Sequence, residues 1–591
     1  MKKDRKKSIS IVTMLRRLLP IATKGNVGRF VAGQLSTVLL MATLLAETIV
    51  TAQILNAVDA AIVTHSYAGP LFWLGMMALV QIFNPLLNGT TNLYLQDLMN
   101  RAYGNVAVRL QKKLARIPTS EFEVPSTLDA INKADAGASV ASAIVIMVLL
   151  SVFGYIPFFI GVSIYLYTLK PILAIAPVVV FIPVMTAQVL KVKMFGDLEE
   201  AAAPERRKVD YYERCIGDRE FFKETRLIGA FAYFKKLYTD SVKAMNKVIK
   251  KTEVKAGVME LVMQALSVCG YGLLFYMLIV ALMDGDISVG EFAAVFASIS
   301  GLFGMMDEMI RSNVGDVMQE KELAVNILKL LDLPERTGDK SADVSQGIEL
   351  RNVHFTYPGS KNESICGVNL ELRPKETLAI VGTNGAGKTT LVKLLTGIYT
   401  PSDGVVLHGG VSTQEIKPDE LFKNTSAVFQ DFGRYKMTLD TNLRIGDLNS
   451  GRELTKVIED SDISLDADSY PQGLATMLSK EFGGVDISGG QWQRIAIARG
   501  LYKQHELIVL DEPTAAIDPL EETRIYKKFA EISEDKTAVI VTHRLGSCRI
   551  ADRIVVMDAG NVMQVGTHEE LLSDEDGLYR RMWEAQAEWL A

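Results

Sequence analysis

"TLAIVGTNGAGKTTLVKLLTG", Thr377–Gly397, decides the fold of the second half of this chain. Its first residues are apolar or β-branched and read as a buried strand. Its last residues place Leu391, Leu394 and Leu395 at helical spacing. Between them, Gly382–Thr389 fits the pattern G-x-x-x-x-G-K-[ST] at every defined position. The glycines Gly382, Gly385 and Gly387 allow backbone angles that turn amides inward, and a helix start adds its dipole. Gly382, Thr383, Asn384, Gly385, Ala386, Gly387, Lys388, Thr389 and Thr390 are therefore candidate phosphate-binding residues. Lys388 supplies positive charge, and Thr389 offers a hydroxyl to Mg²⁺. A chance glycine turn would not come flanked by both a strand and a helix.

Three further apolar strands end in polar side chains. "HELIVLDEPT", His505–Thr514, ends in Asp511, a candidate Mg²⁺ ligand, and Glu512, placed to orient or deprotonate a water. "AVIVTHRL" ends its strand at His543, and "SAVFQDF" at Gln430, which is also a candidate metal contact. Open α/β sheets bind ligands at the carboxyl ends of their strands, where all of these fall. Tyr357 in "VHFTYPGS" is an aromatic that can stack on a base or simply fill a core. "GGVDISGGQWQR", Gly483–Arg494, sets Ser488, Gly489, Gly490 and Gln491 before a helical run. Ser488 is a good helix cap, and free amides there make an anion site. By spacing alone, a plain capped helix and an anion site weigh the same.

The first half reads differently. Phe30–Val58 holds one charge, Glu47; Ala68–Gln96 holds none; Ala141–Leu190 holds one, Lys170, before a proline. Ala256–Met283 and Val289–Met306 are also apolar. A spanning helix needs about 20 apolar residues. Six spans are expected, near 30–57, 70–92, 141–168, 171–190, 256–283 and 289–312, with a tight turn at Leu169-Lys170-Pro171. Met1–Arg17 holds seven Lys/Arg, and the segment from Lys191 to Lys255 holds sixteen. The loops Val58–Pro70 and Asp284–Gly290 hold none, so both termini are expected in the cytoplasm. "PERTGDKSAD" reads as a linker, which gives a membrane domain over 1–335 and a nucleotide domain over 336–591. The expected fold class is an α-helical transmembrane domain followed by an α/β P-loop ATPase domain.

Within the spans, Glu47 is a functional candidate because a central carboxylate costs about 2.5–3.5 kcal/mol to insert. Asn84, Asn88 and Asn92 share a helix face, and serve equally as a polar path or as helix-to-helix hydrogen bonds. Met305, Met306 and Met309 read best as core. Cys215, Cys269, Cys366 and Cys548 have no metal or redox spacing. A net charge of −6 gives no sign of nucleic-acid binding.

Taken together, the P-loop, "VFQD", "DISGGQWQRIAIAR", "LIVLDEPTAAIDP" and "VTHR" resemble an ATP-binding cassette (ABC) transporter half of the exporter type. The resemblance implies ATP and Mg²⁺ as cofactors, hydrolysed at a dimer of nucleotide domains. It implies Tyr357 as the adenine-stacking aromatic, Lys388 and Thr389 as the P-loop pair, and Gln430 as the Q-loop residue. It implies Ser488–Gln491 as the signature motif, Asp511 as the Walker-B aspartate and Glu512 as the catalytic glutamate. Asp518 is implied as the D-loop residue and His543 as the switch histidine. Coupling helices are expected near Ser120–Ala136 and Tyr212–Arg226. Ile487 and "AAID" depart slightly from the commoner residues, and neither removes a catalytic group.

"FQDFGRYKMTLDTNLRIGD", "KEFGGVDISGGQWQ" and "DREFFKETRLIG" resemble the lantibiotic and peptide exporter branch. An N-terminal cysteine peptidase, found in some peptide exporters, is not expected. The partner implied is a second half-transporter, identical or related, in a membrane, with a cargo that is most simply a peptide. A bacterial cell membrane fits the branch. Multidrug or lipid export and an ATP-gated channel are the alternatives. An importer is disfavoured by the fusion of both domains in one chain, and a soluble ABC ATPase by the charge-free spans.

Overall fold

A computed structural model describes residues 9–310, 315–512, 528–531, 533 and 535–590. It divides into two units: Met1–Lys112 with Ala130–Asp332, and Lys113–Asp129 with Leu333–Ala591. The first is helical throughout. A short amphipathic helix, α1 (Ile11–Ala22), is capped by the Ser10 hydroxyl. Long helices follow: α2 (Val27–Thr64), α3 (Ala68–Leu114), α4 (Pro125–Leu150), α5 (Ile156–Leu169), α6 (Ala176–Gly217), a short α7 (Phe222–Leu227), α8 (Phe231–Met283), α9 (Val289–Glu308) and α10 (Asp316–Leu331). Among the described residues, five helical stretches are long and apolar enough to cross a membrane: Val27–Thr64, Ala68–Leu114, Pro125–Leu169, Phe231–Met283 and Val289–Glu308. The expected fourth span falls on the 3₁₀ turn Pro171–Ile175 and the start of α6.

Local chemistry sets the boundaries. Lys170 breaks the helix after Leu169 with an extended backbone, and its ammonium pairs with Asp284 at 3.1 Å and Asp286 at 2.6 Å. Ser288 and Glu291 form a reciprocal capping box that starts α9. Met306 and Met309 are buried with Tyr155 and Ile310, as core. Glu47 Oε1 accepts a 2.8 Å hydrogen bond from Gln81 Nε2 on α3. Asn92 donates to Asn88 Oδ1 at 3.2 Å.

The second unit begins with strands β1 (Ile348–Phe355) and β2 (Ile365–Leu372), then β3 (Thr377–Gly382) and α11 (Lys388–Leu395). β4 (Asp403–His408), β5 (Val411–Ser412), α12 (Pro418–Leu421), β6 (Thr425–Val428), α13 (Leu439–Arg444), α14 (Leu454–Asp460) and α15 (Gly489–Tyr502) follow. β7 (Leu507–Asp511), β8 (Thr537–Val541), β9 (Arg553–Asp558) and β10 (Asn561–Gly566) complete the sheets. An antiparallel sheet has the order β2-β1-β4-β5. The larger sheet runs β10-β9-β3-β8-β7-β6, parallel except for β10. β7 and β8 are buried at every position, as parallel strands covered on both faces must be.

Alternation along these strands sorts the core. Leu507, Val509, Val539 and Val541 pack with Leu391, Leu394 and Leu395 of α11. Ile508, Leu510, Ala538 and Ile540 pack with Trp492, Ile495 and Ile497 of α15. The glycine-loop helix and the Ser488 helix therefore cover opposite faces of one sheet. Lys113–Asp129, which lies between the second and third expected spans, also packs with this unit. Tyr399 donates its hydroxyl to Glu123 Oε1, Arg336 N donates to Arg116 O at 3.0 Å, and Lys113 Nζ pairs with Glu335 at 3.0 Å. Its 3₁₀ turn Thr119–Glu123 and helix α7 lie at the two positions where coupling helices were expected.

His505 opens the run into β7. Its Nδ1–H donates to Lys503 O at 2.7 Å, and Nε2 faces Lys536 Nζ at 3.3 Å. Burial first, then the Lys536 charge, pushes its pKa down to about 4. The unfolded imidazole binds a proton near pH 6.5, and the folded one resists it. This contribution to stability is complete above that value and is lost as pH falls towards about 4. The thermal midpoint of the full chain should fall over this window, and His505→Gln should flatten the fall. Equal slopes in the two proteins would refute the assignment.

Candidate functional site

The strand order brings β3 between β8 and β9, with β7 beyond β8. The carboxyl ends of these strands carry the glycine loop, His543, and the pair Asp511–Glu512. Gly382 makes a very close approach: a Cβ there would lie 2.1 Å from Met557 O on β9. Gly387 caps α11 with φ 96°, a left-handed conformation that glycine adopts without strain. Lys388 is buried, and its Nζ donates to Gly382 O at 3.0 Å and Thr383 O at 3.2 Å. The ammonium is thus held by two carbonyl oxygens of its own loop.

Thr389 Oγ1 donates to Asp511 Oδ1 at 3.3 Å. Asp511 is wholly buried, and among the described residues its Oδ2 has no hydrogen-bond partner. Burial pushes its carboxyl up to about 6, and the Glu512 charge adds to this against the donation from Thr389. A hydroxyl beside an orphaned buried carboxylate oxygen is a fit donor pair for a hard cation such as Mg²⁺.

Glu512 stands at φ 48°, a conformation costing a non-glycine residue about 1–3 kcal/mol. Its N–H donates to Val541 O at 3.0 Å, which locks it to the next strand. Its carboxylate lies 3.6 Å from His543 Nδ1. The His543 loop is tied to the last helix by Gln586, which donates to His543 O and accepts from Leu545 N at 3.0 Å. Gln430 is exposed just beyond β6. Asp518 lies outside the described residues.

Tyr357 is half-buried, edge-on to Phe355 and Tyr399. Its hydroxyl lies 3.0 Å from Thr390 Oγ1, so it is tied to the glycine-loop helix. The sequence reading passed over two supports of the site. Thr383 Oγ1 donates to Asp558 Oδ1 at 2.7 Å, and Tyr399 braces Tyr357. Asp558 ends β9, and nothing in the sequence says that β9 pairs with β3.

Ser488 forms a capping box with Gln491: Gln491 N donates to Ser488 Oγ at 3.2 Å, and Ser488 N to Gln491 Oε1 at 2.8 Å. Gln491 Nε2 also donates to Ser469 at 2.8 Å. Ser488 and Gly489 are exposed, on the α15 side of the sheet and not the α11 side.

Residues 365–515 match the family model described as "ABC transporter". The chain therefore carries an ABC transporter domain over these residues. The chain is 31% identical to the subtilin transport ATP-binding protein SpaT of Bacillus subtilis over 65% of its own length and 64% of that relative. It is 31% identical to the nisin transport ATP-binding protein NisT of Lactococcus lactis over 51% and 52%. It is 31% identical to an ATP-dependent lipid A-core flippase of Chromobacterium violaceum over 55% and 56%. The chain thus spans less than two thirds of the length of these curated relatives. A structure described as a bacterial Atm1-family ABC exporter with ATP bound has a TM-score of 0.78 at 21% identity, and covers 97% of this chain and 100% of the other. That likeness shows the fold: a helical membrane-type region followed by an α/β ABC ATPase domain.

Proposed function

We propose that this chain is one half of an ATP-driven exporter that works as a dimer with a second half, identical or related. One observation carries the reading. The motif Ser488–Gln491 opens with the exposed Ser488 and Gly489 at the start of a helix on the opposite sheet face from the glycine loop. The capping box takes the Ser488 and Gln491 amides and leaves those of Gly489 and Gly490, at the first turn of the helix, for an anion that the chain's own P-loop helix does not present. A second subunit turned head to tail would bring one.

In this arrangement Lys388 and the loop amides bind the phosphates, and Tyr357 supports the adenine. Thr389, Asp511 and Gln430 would hold Mg²⁺, which neutralises phosphate charge when bound. Glu512 orients or deprotonates the attacking water, and His543 positions the end of the phosphate chain. The exposed tip of the membrane half supports a docking role: Leu227 in α7 is 88% exposed and Ile228 65%. The ATPase unit carries a groove of about 340 Å³, lined in part by Phe432, Tyr435, Arg499 and Lys503, suited to a short amphipathic helix of the other subunit. Six spans, cytoplasmic termini and a bacterial cell membrane complete the proposal.

A peptide is the favoured cargo. A lipid is the second reading, favoured by an open apolar groove of about 540 Å³ beside α5, lined by Ile156, Phe159, Ile160, Ile164 and Tyr167 among others. Inside-out vesicles holding the full chain should accumulate a labelled cationic amphipathic peptide with ATP, and fail to do so with the Glu512→Gln chain. Movement of a labelled phospholipid instead would select the second reading. Movement of neither would overturn export.

A further inference from the structure

Two helices follow β10: α16 (His568–Ser573) and α17 (Leu578–Leu590). Along α17, Tyr579, Trp583 and Gln586 recur at steps of four and three residues, so they share one face. Tyr579 and Trp583 pack there against Ala379 and Val381 of β3, Val556 of β9 and Leu545. Alternation along β3 sets this face opposite Leu378 and Ile380, which pack with α11. Gln586 is therefore a polar residue on the inward face of its helix, and its amide is used there. Its Oε1 accepts from Leu545 N at 3.0 Å, and its Nε2 donates to His543 O. One side chain thus satisfies a backbone group on each side of Arg544.

The helix that holds this loop is itself firmly seated. Tyr579 is wholly buried, and its hydroxyl lies 2.8 Å from His568 Nδ1 on α16. Tyr579 N donates to Gln564 Oε1 at 3.0 Å, and the Trp583 ring stands edge-on to His568 with 4.8 Å between centroids. The His543 ring, by contrast, is exposed, and its polar neighbour among the described residues is Glu512, at 3.6 Å. What fixes the ring is then its backbone. Past the end of β8, Thr542 N still donates to Ile380 O at 3.3 Å. Gln586 takes over from the sheet one residue later, at His543 O. We infer that Gln586 is a positioning residue for His543. It sets the backbone from which the ring reaches Glu512 and the end of a bound phosphate chain. The inference rests on the reading of Glu512 and His543 in ATP hydrolysis and brings α17 into it. Lys388 and the glycine loop bind ATP without this amide, so its loss should lower turnover and leave ATP affinity alone.

The test is steady-state ATP hydrolysis by the full chain in phosphatidylcholine nanodiscs, with kcat and KM separated. Gln586→Met keeps the length of the side chain and removes both hydrogen bonds. It should lower kcat about tenfold, part of what misplacement by about 1 Å can cause, and change KM by less than about twofold. The deciding readout is a double-mutant cycle with His543→Ala. A residue that acts through the ring has nothing to position once the ring is gone. Gln586→Met should then change the residual kcat of His543→Ala by less than about twofold. The same loss in both backgrounds, parental kcat in Gln586→Met, or a change in KM alone overturns the inference. If thermal melting shows that Gln586→Met does not fold, Gln586→Glu decides, since it keeps the acceptor for Leu545 N and loses the donation to His543 O. A loss of kcat confined to the background that has the ring supports the positioning role, and a loss in both or in neither overturns it. The controls separate the levels. Absent hydrolysis in the unsubstituted chain removes the ATP-driven reading beneath the inference. Parental kcat in His543→Ala removes the ring's role and the inference with it. A kcat that falls with His543→Ala and not with the Gln586 substitutions removes the positioning role alone.

Discussion

Glu512→Gln is expected to lower ATP hydrolysis by about 10²–10⁴-fold, the usual worth of a positioned general base, while ATP binding persists. The substitution keeps the size and hydrogen-bond reach of the side chain and removes its basicity. Three observations mark Glu512 as more than a strand end. Its backbone is held at φ 48°, its amide is tied to Val541, and its carboxylate faces His543 at 3.6 Å. A fold indifferent to this residue would relax that conformation or place a glycine there. Burial is the main cause that raises the Asp511 carboxyl, and removing the Glu512 charge relieves the repulsion that adds to it, so binding of ATP with Mg²⁺ should hold or strengthen. Phosphate release and fluorescent-nucleotide binding, measured on one preparation, check both halves. Near-parental turnover would remove Glu512 from the mechanism.

Gly489→Gln is the second large effect. A Cβ at Gly489 meets nothing within 4 Å, and its backbone is helical, so the isolated chain should fold as well as the parent. Glutamine in place of glycine even favours the helix, by several tenths of a kcal/mol. In a head-to-tail dimer the same side chain would stand where the partner's nucleotide must approach. Hydrolysis should then fall about 10²-fold, as misplacement of reacting groups by about 1 Å can cause, with ATP binding and thermal midpoint unchanged. Parental hydrolysis would show that this helix start never meets a nucleotide. This substitution tests the dimer better than one at Ser488, whose hydroxyl also holds the helix cap.

The candidate site was legible where its chemistry is local. The glycine loop, Asp511–Glu512 and His543 each end a strand whose burial is written in a short apolar run. The apolar runs of the membrane half were legible for the same reason. What depends on strand order was not. Asp558 supports Thr383 only because β9 lies beside β3. The meaning of Ser488 was open from cap chemistry alone. The alternation of β7 and β8 puts its helix on the face away from α11. Gln586 meets His543 O and Leu545 N only through the packing of α17 on β3 and β9. Lys113–Asp129 stands between two apolar runs and was read with them. Its side chains instead join the ATP-binding unit.

That last feature bears on how such proteins can be recombined. The ATP-binding unit is not the same thing as the C-terminal half of the chain. Tyr399 both braces Tyr357 and holds Glu123, and Arg336 reaches Arg116. A chimera that exchanged residues 333–591 alone would part these pairs and set foreign surfaces against each other. One that carried Lys113–Asp129 along would keep them. In an exchange between relatives the two segments would have to travel together, though more than two hundred residues lie between them.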